Sequence, residues 1–308
     1  MKKIILFLTA FILAMAVGLI AAPPVEDPLP QLSAVPADAQ WALYIDVQKL
    51  TSSAMFKALV GEQEMTKFQG KADEFLGKLK IDPKKDLRGV MVFGLGKKDE
   101  DAVVALSGKF DRAHLVGLIK AETTHKEIAY GKHTIYSWDN DEFGAFAADD
   151  LILLGENEKT IQSALDAMEG KKRDAAPPVL AGVIKDFPNA IMVFGVNSVS
   201  GLLGEHDNPV ILTKMKSAVG ALGENGENLS LQVSIGAESA QVAKDVEQAI
   251  RGLIAIANLQ LKEADAQAFA QAIKIAVDGE NVRINAVYPL NKLLVFLHHD
   301  KVKDVTSF

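Results

Sequence analysis

The residues with chemistry to offer are spread thinly along this chain, and none falls into a spacing that a particular reaction demands. Gly94-Leu95-Gly96 opens like a dinucleotide-binding loop, in which glycines let the backbone approach a pyrophosphate at a helix N-terminus. No third glycine follows and no helical pattern opens behind it, so a hairpin turn accounts for the pair. Asp139, Asp141 and Glu142 crowd one turn as calcium ligands do, but lack the glycine and distal glutamate that complete a calcium loop; they read as a solvated hairpin end. His298-His299-Asp300 is the one local histidine cluster. Neighbouring helix residues point about 100° apart, so the two imidazoles do not easily reach one metal, and the cluster suits a helix C-terminus. His125 and His133 flank a short strand and have no carboxylate or nucleophile placed beside them, which makes them exposed loop histidines. Asn228-Leu229-Ser230 matches a glycosylation sequon by pattern only. Phosphate-cradling, zinc-protease and nucleophile-elbow motifs are absent from the sequence. The expectation is therefore no enzyme: no catalytic residue, no metal, no cofactor, and ligand-binding residues left unassigned.

The same reading limits partners. The 308 residues include no cysteine, which removes disulfides, thiolate nucleophiles and the lipid-bearing cysteine of a lipoprotein. Lys2 and Lys3 precede an apolar run from Ile4 to Ile20, and small residues lead into Pro23-Pro24. That order of positive, apolar and small marks a secretory signal over 1–22. Ala14-Met15-Ala16 and Leu19-Ile20-Ala21 both fit a signal peptidase; cleavage after Ala21 removes the whole apolar run. Left uncut, the nineteen residues from Ile4 to Ala22 approach the roughly 20 that a membrane-crossing helix needs. Without the two signal lysines, 31 basic side chains face 40 acidic ones. Nucleic acid is excluded on that balance, because the one dense basic cluster, Lys171-Lys172-Arg173, falls in a linker and reads as a solvated charge run.

The elements that would position any site alternate strand and helix. Pro23 to Pro36 holds five prolines and reads as an extended spacer over 23–36. A first α+β unit spans 37–170. Trp41 to Asp46 is a strand and Thr51 to Val60 a short helix. Glu64 to Leu79 is an amphipathic helix carrying Met65, Phe68, Ala72, Phe75, Leu76 and Leu79 on one stripe. Val90 to Phe93 and Ala102 to Phe110 make a hairpin, and Asp111 caps a helix that groups Leu115, Leu118 and Ile119. Two strands within Ile128 to Trp138, a hairpin from Phe143 to Leu154 and a helix from Glu158 to Met168 complete the unit.

A linker occupies 171–187, and a second α+β unit spans 188–300 before a tail at 301–308. Ala190 to Val196 is a strand, followed by helices over Ser198 to Leu203 and Val210 to Leu222, the latter aligning Ile211, Met215, Val219 and Leu222. Leu229, Leu231, Val233 and Ile235 alternate with polar residues as a half-buried strand. A long helix from Glu238 places Val242, Val246, Ile250, Leu253, Ile254 and Ala257 inward. Ala264 to Ala272 is a helix, Ile273 to Val277 and Val282 to Tyr288 form a hairpin through Asp278-Gly279, and Leu290 to His298 is a last helix. The fold class is α+β, two related units with mostly antiparallel sheets packed on helices. The strand-then-helix order of Val103 to Ala121 recurs in Leu231 to Ile250, and the hairpin-then-helix order of Phe143 to Met168 recurs in Ile273 to Leu297, the pattern of an internal duplication. Ser230, Gln232 and Ser234 face one way, beside Lys274, Arg283 and Asn285 of the neighbouring hairpin, so the second unit is expected to present an open polar sheet.

Pro36-Ala37-Asp38-Ala39, followed by Leu43-Tyr44-Ile45-Asp46 and Leu50, resembles the start of exported bacterial proteins of unknown function that carry repeated α+β units behind a signal peptide. The resemblance covers the first unit well and the second loosely. It implies a periplasmic, envelope or extracellular setting and assigns no catalytic residue. The function expected is a non-catalytic exported protein that binds another protein, a polymer or a small ligand, and that meets a membrane only through an uncleaved signal. The alternatives are a hydrolase with a site dispersed in sequence, or a membrane-tethered adaptor.

Overall fold

Antiparallel pairing organises both halves of the chain. The computed structural model describes residues 30–59, 77–96, 101–139, 141–171, 187, 189–197, 199, 213–260 and 264–294. The signal segment, most of the Glu64 to Leu79 helix, most of the 171–187 linker, most of the Ser198 to Leu203 helix and the 301–308 tail lie outside them. The chain divides into two compact units, one of Met1–Ser52 and Val60–Gly182, the other of Ser53–Leu59 and Val183–Phe308. The architecture is α+β, as the residue patterns require.

In the first unit the strands are β1 (Trp41–Asp46), β2 (Leu87–Gly94), β3 (Ala102–Gly108), β4 (Lys126–Tyr130), β5 (His133–Trp138), β6 (Glu142–Ala148) and β7 (Leu151–Gly155). They lie in the order β1-β2-β3-β7-β6-β5-β4, every neighbour antiparallel. Asp46 accepts a hydrogen bond from the Lys49 amide at 2.8 Å and so starts α1 (Val47–Ser52). Ser53 then accepts from the Phe56 amide at 3.1 Å and starts α2 (Ala54–Leu59), so the single helix expected from Thr51 is two short ones. A single turn, α3 (Pro83–Asp86), leads into β2. Asp111 caps α4 (Arg112–Ala121), accepting from the His114 amide at 2.9 Å, and Asn157 caps α5 (Glu158–Met168). Leu115 is buried beneath α4, whereas Leu118 reaches the surface. Ile161, Ala164 and Leu165 of α5 are fully buried in the core shared with β3, β6 and β7.

The described part of the proline-rich segment is packed and does not stand off as an extended spacer. Residues Pro30–Ala34 form a 3-10 helix whose Gln31 and Ala34 are buried, and the Gln31 amide donates to the Ser107 hydroxyl of β3. Burial of Ala34 and Val35 outweighs the extended preference that the prolines impose.

The second unit has β8 (Ala190–Val196), β9 (Met215–Asn225), β10 (Asn228–Ala237), β11 (Lys274–Asp278) and β12 (Asn281–Pro289), in the order β8-β9-β10-β12-β11 and again antiparallel. The expected helix over Val210 to Leu222 is corrected to strand from Met215 onward. Hydrogen-bonded partners on both sides, β8 and β10, override a helix-like spacing of apolar residues. Gly226 and Gly279 take the left-handed φ that the two tight hairpin turns need, near +60° in each.

Helix α6 (Ala240–Gln260) lays Val242, Ala243 and Val246 onto Ile235, Ile275 and Val282, with Ile250 and Ile254 packed at the edge of that cluster; α7 (Ala264–Ala272) follows. Two residues expected on the inner face, Leu253 and Ala257, are exposed instead. Twenty-one residues make a helix about 30 Å long, whereas five-residue β11 spans about 17 Å, so the helix outruns its support. Leu253, Ile256 and Leu259 are accordingly 66%, 54% and 88% exposed.

A polar cluster ties the β4–β5 hairpin of the first unit to the end of α5. The Tyr130 hydroxyl donates to Asp166 at 2.8 Å, and Lys171 reaches Glu169 at 2.7 Å and Asp166 at 3.3 Å. The Lys171 hydrogen bond holds the Glu169 carboxyl below its usual range, and the same contact raises the Lys171 ammonium. The Glu169 contribution is present above the ordinary carboxylate pKa of about 4.3 and lost as pH falls through the lower folded value; that of Lys171 is present below about 10.4 and lost as pH rises through its raised value.

Leu165→Ala is expected to lower stability by about 2–5 kcal/mol, while Leu253→Ala stays within about 0.5 kcal/mol, both read by denaturant unfolding. Lys171→Met is expected to lower the melting temperature slightly at neutral pH, with the gap to the unaltered chain closing as pH falls below about 4. A gap that persists at low pH contradicts the ion-pair account.

Candidate binding site in the second unit

The register of the second unit sorts β10 into two faces. Leu229 and Ile235 are buried on the side that α6 covers, while Gln232 is exposed and Ser230 and Ser234 are half-buried on the other. Gln232 stands opposite Asn285 of β12, and Asn285 opposite Lys274 of β11, which makes one polar row across three strands about 4.8 Å apart. In the next row Ser234 stands opposite Arg283, whose guanidinium pairs with Asp278 at 2.7 Å. Lys274, Arg283 and Asn285 are all exposed, as the alternation of the sequence predicts. Val287, opposite Ser230, adds an apolar spot 59% exposed to the same face.

At the end of this face lies a cavity of about 200 Å³ lined by Phe187, Asn189, Glu224, Asn225 and Ser230. Phe187 and Asn189 belong to the lead into β8, Glu224 and Asn225 close β9, and Ser230 begins β10. Among the described lining residues Glu224 carries the only formal charge. Its two carboxylate oxygens accept backbone hydrogen bonds from Ala54 at 2.9 Å and Met55 at 2.6 Å, at the start of α2. Those two bonds fix the carboxylate and spread its charge. Ser230 was singled out by the alternation of β10. The other four lining residues were not, because the tight turn after Asn225 was hidden by the helical reading of β9.

The sequence candidates elsewhere stay apart. Gly94 ends β2 and is followed, across the turn, by strand β3 and not a helix. The Trp138 indole donates to Glu142 at 2.6 Å, and Asp139 holds a left-handed φ of 49° in the turn. Among the described residues no group of three or more His, Asp or Glu side chains is arranged to hold a metal ion. His125 donates through Nδ1 to the Glu122 carbonyl, 2.8 Å away, at the opposite end of the β4–β5 pairing from His133, so the two do not meet. His133 is not an exposed loop residue. It opens β5 with its side chain 8% exposed, and its Nε2 lies 3.4 Å from Glu169. His298, His299, Asp300, Lys172 and Arg173 lie outside the described residues.

The Tyr44 phenol is buried in the first unit. Burial raises the Tyr44 phenol far above its ordinary value, Asp46 adds to the rise and Arg88 opposes it. Gly89 makes room for the ring, since a Cβ there would stand 2.7 Å from it. The phenol is held protonated and packs in the core of the first unit.

No protein family and no curated protein matches the sequence. Among solved structures, two crystal forms of TP0453 are similar: form III with a TM-score of 0.50 at 10% identity, and form IV with 0.50 at 11%. Each match covers 88% of this chain, and 98% and 97% of the respective TP0453 chain. Likeness at such low identity establishes a shared fold and nothing about activity.

Proposed function

We propose that this chain is a non-catalytic exported protein of the cell envelope whose second unit binds a partner through its polar sheet face. The observation that carries the reading is the exposed row of Gln232, Asn285 and Lys274, which offers amide and ammonium groups on one sheet face that no helix among the described residues covers. Amide side chains both donate and accept, which suits a neutral polar partner. Export rests on the order of charge and apolar residues in Met1–Ala22.

The two units are read as copies of one ancestor. Each runs as a three-strand meander, then helix, then a hairpin whose second strand returns beside the third strand of the meander: β7 beside β3, β12 beside β10. Among the strands of the described residues, the second has no counterpart to the β4–β5 hairpin. The corrected strand β9 supplies the counterpart of β2 that the sequence pattern had left out.

Two measurements test the proposal. Intact mass of the chain recovered from the envelope fraction is expected to match loss of Met1–Ala21, and a chain retaining Met1 in the cytosol overturns export. A photo-cross-linking residue at Asn285 is expected to capture an envelope component that the same residue at Gln248, exposed on α6, does not; equal capture at both positions, or none, overturns the assignment of the face.

A further inference from the structure

The matching strand orders allow position-by-position comparison of the units. In the first, the pairing of β1 with β2 begins with Trp41 opposite Gly94, and a Cβ on Gly94 would fall inside the Trp41 indole. In the second, the pairing of β8 with β9 begins with Ala190 opposite Gly223. Ala190 thus holds the place of Trp41, and Gly223 that of Gly94. The indole of the first unit is replaced over Gly223 by the Asn189 backbone carbonyl and the edge of the Phe187 ring, which together cover less of the strand than an indole. The cavity of about 200 Å³ lies beside Gly223: Ser230 is the register partner of that glycine, and the Phe187 ring comes within 3.0 Å of where its Cβ would stand.

We propose that this cavity is a subsite for one neutral sugar ring, an assignment that rests on reading the second unit as a binding unit. Its volume falls below the roughly 300–1,000 Å³ of sites for drug-sized ligands, and suits a single ring. A pyranose offers an apolar C–H face and a rim of hydroxyls that donate and accept. The lining answers both. Phe187 supplies an aromatic surface, Asn189 and Asn225 each supply an amide donor and acceptor, Ser230 supplies a hydroxyl, and Glu224 accepts.

The same lining argues against charged ligands. Among the described lining residues there is no Lys, Arg or His, so a phosphate or carboxylate would meet the Glu224 charge with no counter-ion from them. Glu224 already accepts two backbone amide hydrogens, which weakens its pull on a cation. Asn189 and Asn225 are exposed, so the cavity opens to solvent and a ring within a longer glycan fits as well as a free one.

The test is a nuclear magnetic resonance titration of the isotope-labelled mature chain with glucose, N-acetylglucosamine and a linear oligosaccharide of each, with glucose 6-phosphate and choline as charged probes. Neutral sugars are expected to shift the side-chain amide signals of Asn189 and Asn225 with a dissociation constant of about 1–10 mM. Tighter binding of the oligosaccharides identifies a glycan chain as the ligand, and equal binding a free sugar. Asn225→Ala is expected to weaken binding about tenfold at an unchanged melting temperature, because one neutral hydrogen-bonding group is lost. Phe187→Ala is expected to remove binding, and the exposed Asn225 variant keeps the test open if that chain does not fold. No shift with any neutral sugar, unchanged affinity in Asn225→Ala, or tighter binding of choline or the phosphate each overturns the assignment. Asn285 lies outside the cavity lining, so loss of the sugar assignment leaves the cross-linking result standing, and loss of the cross-link leaves sugar binding to be judged alone.

Discussion

Each unit hangs on the pairing of its third strand along both edges. β3 is bonded to β2 on one side and to β7 on the other; β10 is bonded to β9 and to β12. The first partner in each case is a chain neighbour, but the second arrives only after a helix and further strands. Buried backbone amides and carbonyls without partners would cost roughly 1–3 kcal/mol each, so the late strand has to return to this position. That return keeps the intervening helix over one face of the sheet, α6 over β10, β11 and β12 in the second unit. Closure over such a distance along the chain also makes assembly a slow, non-local event.

On this common scaffold the two units differ in how completely they are filled. The first carries an extra hairpin beyond β6, a tryptophan over Gly94, a buried tyrosine beside Gly89 and a glutamine sealed against Ser107. The second stops at β11, bears a short side chain opposite Gly223 and leaves three strands with one polar face open. The open face of β10, β12 and β11 carries amide and hydroxyl groups beside the charges of Lys274 and Arg283.

Much of this architecture was legible in residue order because period-two alternation and helix caps are local signals. Trp41–Asp46, Glu158–Met168, Ala190–Val196 and Ala264–Ala272 are where the pattern placed them. The failures share one cause, which is that a local pattern does not carry tertiary partners. Met215 to Leu222 combines helix-forming residues with a four-residue apolar spacing, yet two flanking strands claim its backbone. Gly220 within it and Gly223 just after it were the available signal, since Phe194 closes over the one and Asn189 approaches the other. Leu253 and Ala257 keep helical spacing with Val242 and Val246 but extend past the sheet that would cover them. The polar face was legible through Ser230, Gln232 and Ser234. The cavity was not, because its lining gathers residues from two separate stretches of chain.

The contact between Glu224 and α2 bears on how the chain is made. Residues 53–59 leave the ribosome early, between two strands of the first unit, yet the carboxylate that receives their amides is added some 170 residues later. A nascent chain can finish the first unit while this short segment still waits for its acceptor. Severing the polypeptide in the 171–187 connection would also leave that segment on the wrong fragment, so neither half recovered alone would contain the whole of the second unit.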